Sequence, residues 1–284
     1  MKKGFLKRLM TMTVVGLMAF SLAGCGSSNT SSTSTSSNQG TKKASGATLE
    51  QLQKKGTIVV GMMAATPPYE FHAVQNGKDQ IIGCDIKLID QVAKDLGVKY
   101  EIKDMDFDGL LVALQAGKID MIVSAMSPTP ERSKNADFSN VYYKDKHVIV
   151  INKDNHGKIS SPTDLDGKTI GVIKSSVQEQ IVQKTITKAK TKSLGKSTDL
   201  ALDLGSKKVD AILVDMPTAK LLSKANDKIE LTEIYYNDDT AGAAIAMPKG
   251  TDPKVMEIVN KAIDKAKPVF TEWLTEAMEQ VQQK

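Results

Sequence analysis

An α/β protein of two similar lobes is the fold class that this sequence predicts, and three observations point to it. Short β-branched runs alternate with stretches of helical period along most of the chain, the pattern of a largely parallel sheet covered by helices. The pattern then repeats. "ALQAGKIDMIVSAMSPTPER" (113–132) and "ALDLGSKKVDAILVDMPTAK" (201–220) share an order of helix, glycine, lysine, aspartate, apolar strand, polar residue and proline. Roughly 235 residues follow Thr48, enough for one large domain or two small ones.

The elements follow in chain order. "TIVVGM" (57–62) is a short β-branched run and reads as a buried strand. In "CDIKLIDQVAKDLGVKYEI" (84–102) the period changes: Ile86, Ile89, Val92, Ala93 and Leu96 share one helical face, with Asp85 as cap and Gly97 as terminator. "YEI" reads as the next strand. "FDGLLVALQAGKIDMIVSAM" (107–126) repeats the order, with a helix from about Gly109 closed by Gly117 and a strand over 119–123. Farther on, "GKTIGVI" (167–173) is a turn and strand, and "SSVQEQIVQKTI" (175–186) a helix capped by a serine.

In an open α/β sheet a ligand lies beyond the carboxyl ends of the strands, which here are 124–132 in one half and 215–217 in the other. Within "TPER", Thr129 is an N-cap and Pro130 the first helical residue, so Arg132 sits in the first turn. A cation is mildly unfavourable at that positive end of the helix dipole. Arg132 is therefore either a solvated surface arginine or one whose neighbour is an anion. Its planar fork suits a carboxylate, while Asp215, acceptor-only, suits an ammonium. An α-amino acid carries both groups and would engage both residues if the lobes face each other. Asp215 serves equally well as a cap for a helix at Met216–Pro217.

The N-terminal region belongs to no fold. Residues 1–24 have a basic start (Lys2, Lys3, Lys7, Arg8), a mostly apolar run too short to span a bilayer comfortably, and the ending "LAGC". This is the bacterial lipoprotein-box pattern and predicts a signal peptide over 1–24 and a lipidated Cys25. Residues 25–48 are Ser/Thr-rich without a large apolar side chain, which predicts a flexible tether to a membrane surface. Four of the 38 basic residues and none of the 33 acidic ones fall in 1–24, so the remainder carries 34 against 33. With aromatics at 5%, nothing calls for a nucleic-acid partner. Cys84 has no partner once Cys25 is acylated, so no disulfide framework is expected.

Five stretches carry a resemblance to a known family: "PPYEF" (67–71), "IGCDIKLIDQVAKDLG" (82–97), "FDGLLVALQAGKIDMIVSAMSPTPERSKNADFSNVYY" (107–143), "LDGKTIGV" (165–172) and "VDAILVD" (209–215). Collinear from about 57 to 268, the chain resembles the polar-amino-acid-binding proteins of bacterial ABC importers, the family 3 solute-binding proteins. The resemblance implies a two-lobed periplasmic-binding-protein-like fold of type II, with lobe 1 from 49–148 and 245–284 and lobe 2 from 149–244. The lobes would be joined by two crossing strands near 147–152 and 242–247. It implies that Arg132, Ser127 and the Ala125 amide hold the ligand carboxylate, that backbone donors at Ser176 and Val177 add to them, and that Asp215 takes the ammonium. Phe107 would form an apolar wall; Thr66, Tyr69 and Ser124 complete the expected ligand set.

The chain departs from the family pattern at Thr66, where an aromatic is common, and at Met63, acidic in relatives that take basic amino acids. Cys84 within "GCD" and the C-terminal "KPVFTEWL" also depart from it. With no acidic residue seen at the side-chain end, a neutral polar ligand such as glutamine is expected. The implied partners are that amino acid, an ABC permease with its ATPase subunits, and the membrane through the lipid anchor. The protein would be a monomer on the extracellular face of the cell membrane, without cofactor or metal. An enzyme on the same scaffold, a dehydratase or transglycosylase, is a rival reading, and a surface adhesin or sensor another. "DMDFDG" (104–109) imitates the start of a calcium loop, but Gln115 stands where the bidentate glutamate belongs. His72, His147 and His156 lack metal-ligand spacing, and no catalytic motif occurs.

Overall fold

The structure is a computed structural model describing residues 46–237 and 242–282. The expected signal peptide, Cys25 and nearly all of the tether lie outside the described residues. The chain runs α1 (Leu49–Lys55), β1 (Thr57–Met62), β2 (Ala65–Thr66), β3 (Glu70–Gln75), β4 (Lys78–Ile82), α2 (Cys84–Leu96), β5 (Lys99–Asp104), α3 (Phe107–Gln115), β6 (Met121–Ile122), α4 (Pro130–Ser133) and β7 (Ala136–Tyr143). It continues with β8 (His147–Asn152), β9 (Thr169–Ile173), α5 (Val177–Thr185), β10 (Lys190–Leu194), α6 (Ser197–Gly205), β11 (Ala211–Asp215), α7 (Met216–Ala225), β12 (Ile229–Tyr236), β13 (Ala243–Pro248) and α8 (Pro253–Gln282).

Two five-stranded sheets form the lobes, in the orders β5-β1-β6-β13-β7 and β10-β9-β11-β8-β12. In each, four strands run in one direction and one, β13 in the first sheet and β8 in the second, runs antiparallel between two of them. The internal echo is thus real in three dimensions. The helix–strand–helix unit α3-β6-α4 corresponds to α6-β11-α7, and β6 and β11 are the middle strands of their sheets. A small β2-β3-β4 sheet is appended to the first lobe.

The chain passes from the first sheet to the second between Tyr143 and His147 and returns between Tyr236 and Ala243. The strands expected to do the crossing, 147–152 and 242–247, therefore each lie inside one sheet. Their largely apolar composition explains this, since β8 and β13 are buried almost throughout.

Helix α2 shows how local sequence and tertiary contact together set the site. Leu88, Ile89, Val92 and Leu96 are fully buried in a core shared with Phe270 of α8. Gly97 closes the helix with a left-handed φ of 73°. The N-cap position is Gly83 and not Asp85, which lies in the first turn with no exposed surface. Instead of a side-chain cap, the carbonyls of Pro68 and Tyr69 accept from the amides of Cys84 and Asp85 at 3.2 and 3.0 Å. A side chain on Gly83 would meet the Tyr69 carbonyl oxygen at 2.0 Å, and its φ is +134°. Only glycine admits this approach.

Two other boundaries differ from expectation. Helix α3 begins at Phe107, because Asp106 takes the extended N-cap conformation and Asp108 supplies first-turn acid. The strand expected over 119–123 pairs only at Met121–Ile122, although Asp120 and Val123 still donate to Val59 and Gly61 at 2.7 and 3.2 Å. Among the described residues no helix is long and apolar enough to cross a membrane.

Candidate functional site

The cleft between the two sheets holds a cavity of about 90 Å³, against roughly 10–15 Å³ for one water. It lies beyond the carboxyl ends of β1, β6, β9 and β11, as an open α/β sheet dictates. All ten residues singled out in the sequence line it: Thr66, Tyr69, Phe107, Ser124, Ala125, Ser127, Arg132, Ser176, Val177 and Asp215.

Arg132 is held as its local sequence demands. Thr129 caps α4, its hydroxyl accepting from the Arg132 amide at 3.2 Å, and Pro130 occupies the first turn. The side chain is 7% exposed, so the solvated-arginine reading fails. Its Nη1 donates to the Ser127 carbonyl at 2.7 Å and its Nη2 to the Ser175 carbonyl, across the cleft, at 2.8 Å. The guanidinium carbon stands 5.4 Å from the centre of the Phe107 ring. The guanidinium, charged at any physiological pH, thus stands at the cavity wall, where its planar fork suits a carboxylate.

Opposite, Asp215 ends β11 and does two things. Its Oδ1 caps α7 by accepting from the Thr218 amide at 3.0 Å, and it also accepts from the Tyr69 hydroxyl of the other lobe at 3.1 Å. The capping role and a place on the cavity wall are thus combined in one side chain. Burial raises the Asp215 pKa, with Thr218, the charge of His147 and Tyr69 opposing the rise. Burial also pushes the Tyr69 hydroxyl well up, and the Asp215 charge adds to this, so Tyr69 stays a donor.

Helix α5 brings its N-terminus to the same cavity. Ser176 caps it by accepting from the Glu179 amide at 3.1 Å. The Ser176 amide is engaged by the Ile173 carbonyl at 3.2 Å, so the donors this turn offers are first-turn amides such as Val177, which have no intrahelical acceptor. The Ala125 amide, expected to face a ligand, donates instead to Asp85 Oδ2 and Tyr142, each at 3.1 Å. A left-handed φ of 45° at Ala125 turns it that way. The Ser124 hydroxyl is likewise engaged inside the lobe, accepting from the Met63 amide at 3.1 Å and donating to Glu70 at 2.6 Å.

The cavity also takes in Met63, Tyr143, Lys144, Asp145, His147 and Gln178. Gln178 follows Ser176 and Val177 in the first turn of α5, and its Nε2 lies 3.2 Å from His147 Nδ1. Lys144 and Asp145 belong to the crossing, which lies just before the 147–152 expected from sequence. Further bonds close the cleft: Thr218 Oγ1 donates to the Pro67 carbonyl at 3.2 Å, Ser197 to the Ala65 carbonyl, and Lys174 pairs with Asp108 at 2.7 Å. The lobes are in contact. Among the described residues no cluster of three His, Cys, Asp or Glu side chains could hold a metal ion. The carboxylates of "DMDFDG" have other work: Asp104 Oδ1 accepts from the Ala64 amide at 2.8 Å.

Comparison with known proteins agrees with this geometry. Residues 58–283 match the model of the bacterial extracellular solute-binding proteins, family 3. The arginine-binding extracellular protein ArtP of Bacillus subtilis is 34% identical over 261 residues, 91% of this chain and 92% of ArtP. The crystal structure of the amino acid ABC transporter substrate-binding protein AbpA of Streptococcus pneumoniae, bound to L-arginine, superposes with a TM-score of 0.77. It is 34% identical and covers 82% of this chain and 98% of its own. An ancestral arginine-binding protein bound to glutamine gives a TM-score of 0.69 at 36% identity, over 77% of this chain and 97% of its own. Each of the three is named as a protein that binds an amino acid or transporter substrate. With a match over nearly the whole folded body and two lobes closing on paired opposite charges, this chain belongs to the family 3 bacterial extracellular solute-binding proteins.

Proposed function

We propose that this chain captures a free polar α-amino acid outside the cell and presents it to the permease and ATPase subunits of an ABC importer. One observation carries the reading: Arg132 and Asp215 stand on opposite lobes yet line one cavity, a fork for a carboxylate facing an acceptor for an ammonium. The working division shifts the expected 49–148 with 245–284 and 149–244 by a few residues to the crossings, so that β8 falls whole in lobe 2 and β13 whole in lobe 1. A zwitterion bridging them favours the closed state, because neither lobe alone meets both charges. An arginine fork and an aspartate matched to the two fixed charges of an amino acid support binding as the role.

For the side chain, the charged lining supports a neutral polar ligand. Arg132 and Lys144 balance Asp145 and Asp215, and Met63 offers no carboxylate. Glutamine leads on this ground. Arginine is the second reading, supported by the names of ArtP and AbpA and by the Asp145 carboxylate at the cavity. Isothermal titration against the twenty amino acids and cystine decides. Tightest binding of glutamine supports the first and of arginine the second; binding of none overturns the amino-acid reading.

The anchor proposed at Cys25 has its own test. Cys25→Ser removes the thiol that forms the thioether, so the variant should leave the membrane fraction of a lipoprotein-processing host. Recovery in that fraction equal to wild type would defeat the anchor.

A further inference from the structure

Beneath the anion wall lie two carboxyl groups that the binding role does not use. Glu70, first residue of β3, and Asp85, in the first turn of α2, have no exposed surface. Glu70 Oε1 accepts from the Ser124 hydroxyl at 2.6 Å. Asp85 Oδ2 accepts from the Ala125 amide at 3.1 Å and the Tyr142 hydroxyl at 3.0 Å. That leaves Glu70 Oε2 and Asp85 Oδ1, both buried and without any other partner, and the two side chains are within hydrogen-bonding reach of each other.

Two ionised carboxylates cannot face each other in a dry interior. One proton between them resolves every atom. Asp85 Oδ2 already takes two donors, so Asp85 is the ionised partner. A proton on Glu70 Oε2, donated to Asp85 Oδ1, would give both atoms the partner they otherwise lack. The chain then reads without a gap: the Met63 amide donates to Ser124, Ser124 to Glu70, Glu70 to Asp85, and Ala125 and Tyr142 to Asp85 as well.

We propose that Glu70 and Asp85 share one proton and together position the Ser124–Ala125 wall of the ligand cavity. Ala125 is held in a left-handed conformation, φ 45°, that a non-glycine residue keeps only when its surroundings impose it. Its amide bond to Asp85 is that restraint, and Ser124 is fixed through Glu70. The other titratable groups facing the pair are Cys84 on α2, Tyr69 before β3, Tyr142 on β7 and, across the cleft, Asp215. None of these four supplies positive charge. Burial raises both carboxyls, Glu70 well above its ordinary value with the Asp85 charge as the next cause, and Asp85 to about 6.

The sign follows from linkage. Groups raised in the folded state hold protons that the unfolded chain releases. Their contribution to stability is therefore full below the unfolded carboxyl range, and it is lost as pH rises from that range through the folded values, about 6 for Asp85 and a raised one for Glu70. Glu70→Gln replaces the protonated acid by an amide that still accepts from Ser124 and donates to Asp85, without a proton to lose.

Unliganded wild type and E70Q are to be compared by denaturant unfolding from pH 5 to pH 8. For the one proton held by Glu70, the wild-type folding constant should fall about tenfold per pH unit relative to E70Q. Parallel profiles would overturn the shared proton. The positioning role rests on the binding reading above and is read separately, by titrating L-glutamine and L-arginine. Glu70→Ala should lose tenfold or more in affinity for whichever probe binds, and E70Q should restore most of it. An E70A protein binding like wild type would overturn positioning, and so would an E70Q that binds as poorly as E70A. Should E70A fail to fold, E70Q with Ser124→Ala decides, since S124A cuts the same link from the other side and should lose affinity likewise. If neither probe binds wild type, the amino-acid reading has failed, and the unfolding profiles still judge the pair.

Discussion

Arg132→Ala is expected to cost about 3–5 kcal/mol of amino-acid binding, since it leaves the ligand carboxylate desolvated beside no cation. That is a factor of roughly a hundred to several thousand in Kd. The loss falls on binding more than on folding. Arg132 lies at the cavity wall, where its guanidinium bonds the Ser127 and Ser175 carbonyls and stands over the Phe107 ring. Because Nη2 reaches the Ser175 carbonyl of the facing lobe, the variant should also close less readily. Arg132→Lys keeps the charge but not the fork, so it should recover only part of the affinity. Titration checks both; R132A affinity within threefold of wild type would misplace the anion site.

Asp215→Asn should be nearly as severe for binding and almost silent for stability. Asparagine is an N-cap as good as aspartate, and its carbonyl still accepts from Thr218 and Tyr69. What disappears is the negative charge opposite the ammonium, a loss of about 2–5 kcal/mol for a desolvated pair. Asp215→Ala should add about 1 kcal/mol of instability by removing the cap as well. Thermal melting of the unliganded variants, beside their titrations, separates the roles. Unchanged affinity in D215N would leave Asp215 with capping alone. A related pH effect has a definite sign: burial raises the Asp215 pKa, so affinity should weaken as acid protonates the carboxylate and removes the acceptor.

What was legible in the sequence was what neighbouring residues decide. The strand Thr57–Met62, the Thr129–Pro130 helix start around Arg132 and the Ser176 cap of α5 depend on contacts within four positions. The paired lobes were legible because the helix–strand–helix order occurs twice. The rest depended on distant partners. Asp85 reads as a cap only until its carboxylate is seen to bond Ala125, forty residues away. The same contact removes the Ala125 amide from the ligand. Tyr69 reaches Asp215 over a separation of 146 residues, which no local pattern announces. The crossing at 144–146 was expected a few residues late, at 147–152, because β8 and β13 are apolar enough to pass for either a core strand or a hinge.

Tight binding is expected to need both charges of a zwitterion, one for each lobe. Titration of the tightest-binding amino acid beside its N-acetyl and carboxamide derivatives tests it most directly. The N-acetyl form keeps the carboxylate for Arg132 but has no ammonium for Asp215, and the carboxamide reverses this. Each derivative should bind at least a hundredfold more weakly than the parent, a loss of about 2.7 kcal/mol or more. A derivative that binds within threefold of the parent would show that the corresponding wall does not hold that charge, and the site drawn between Arg132 and Asp215 would be wrong.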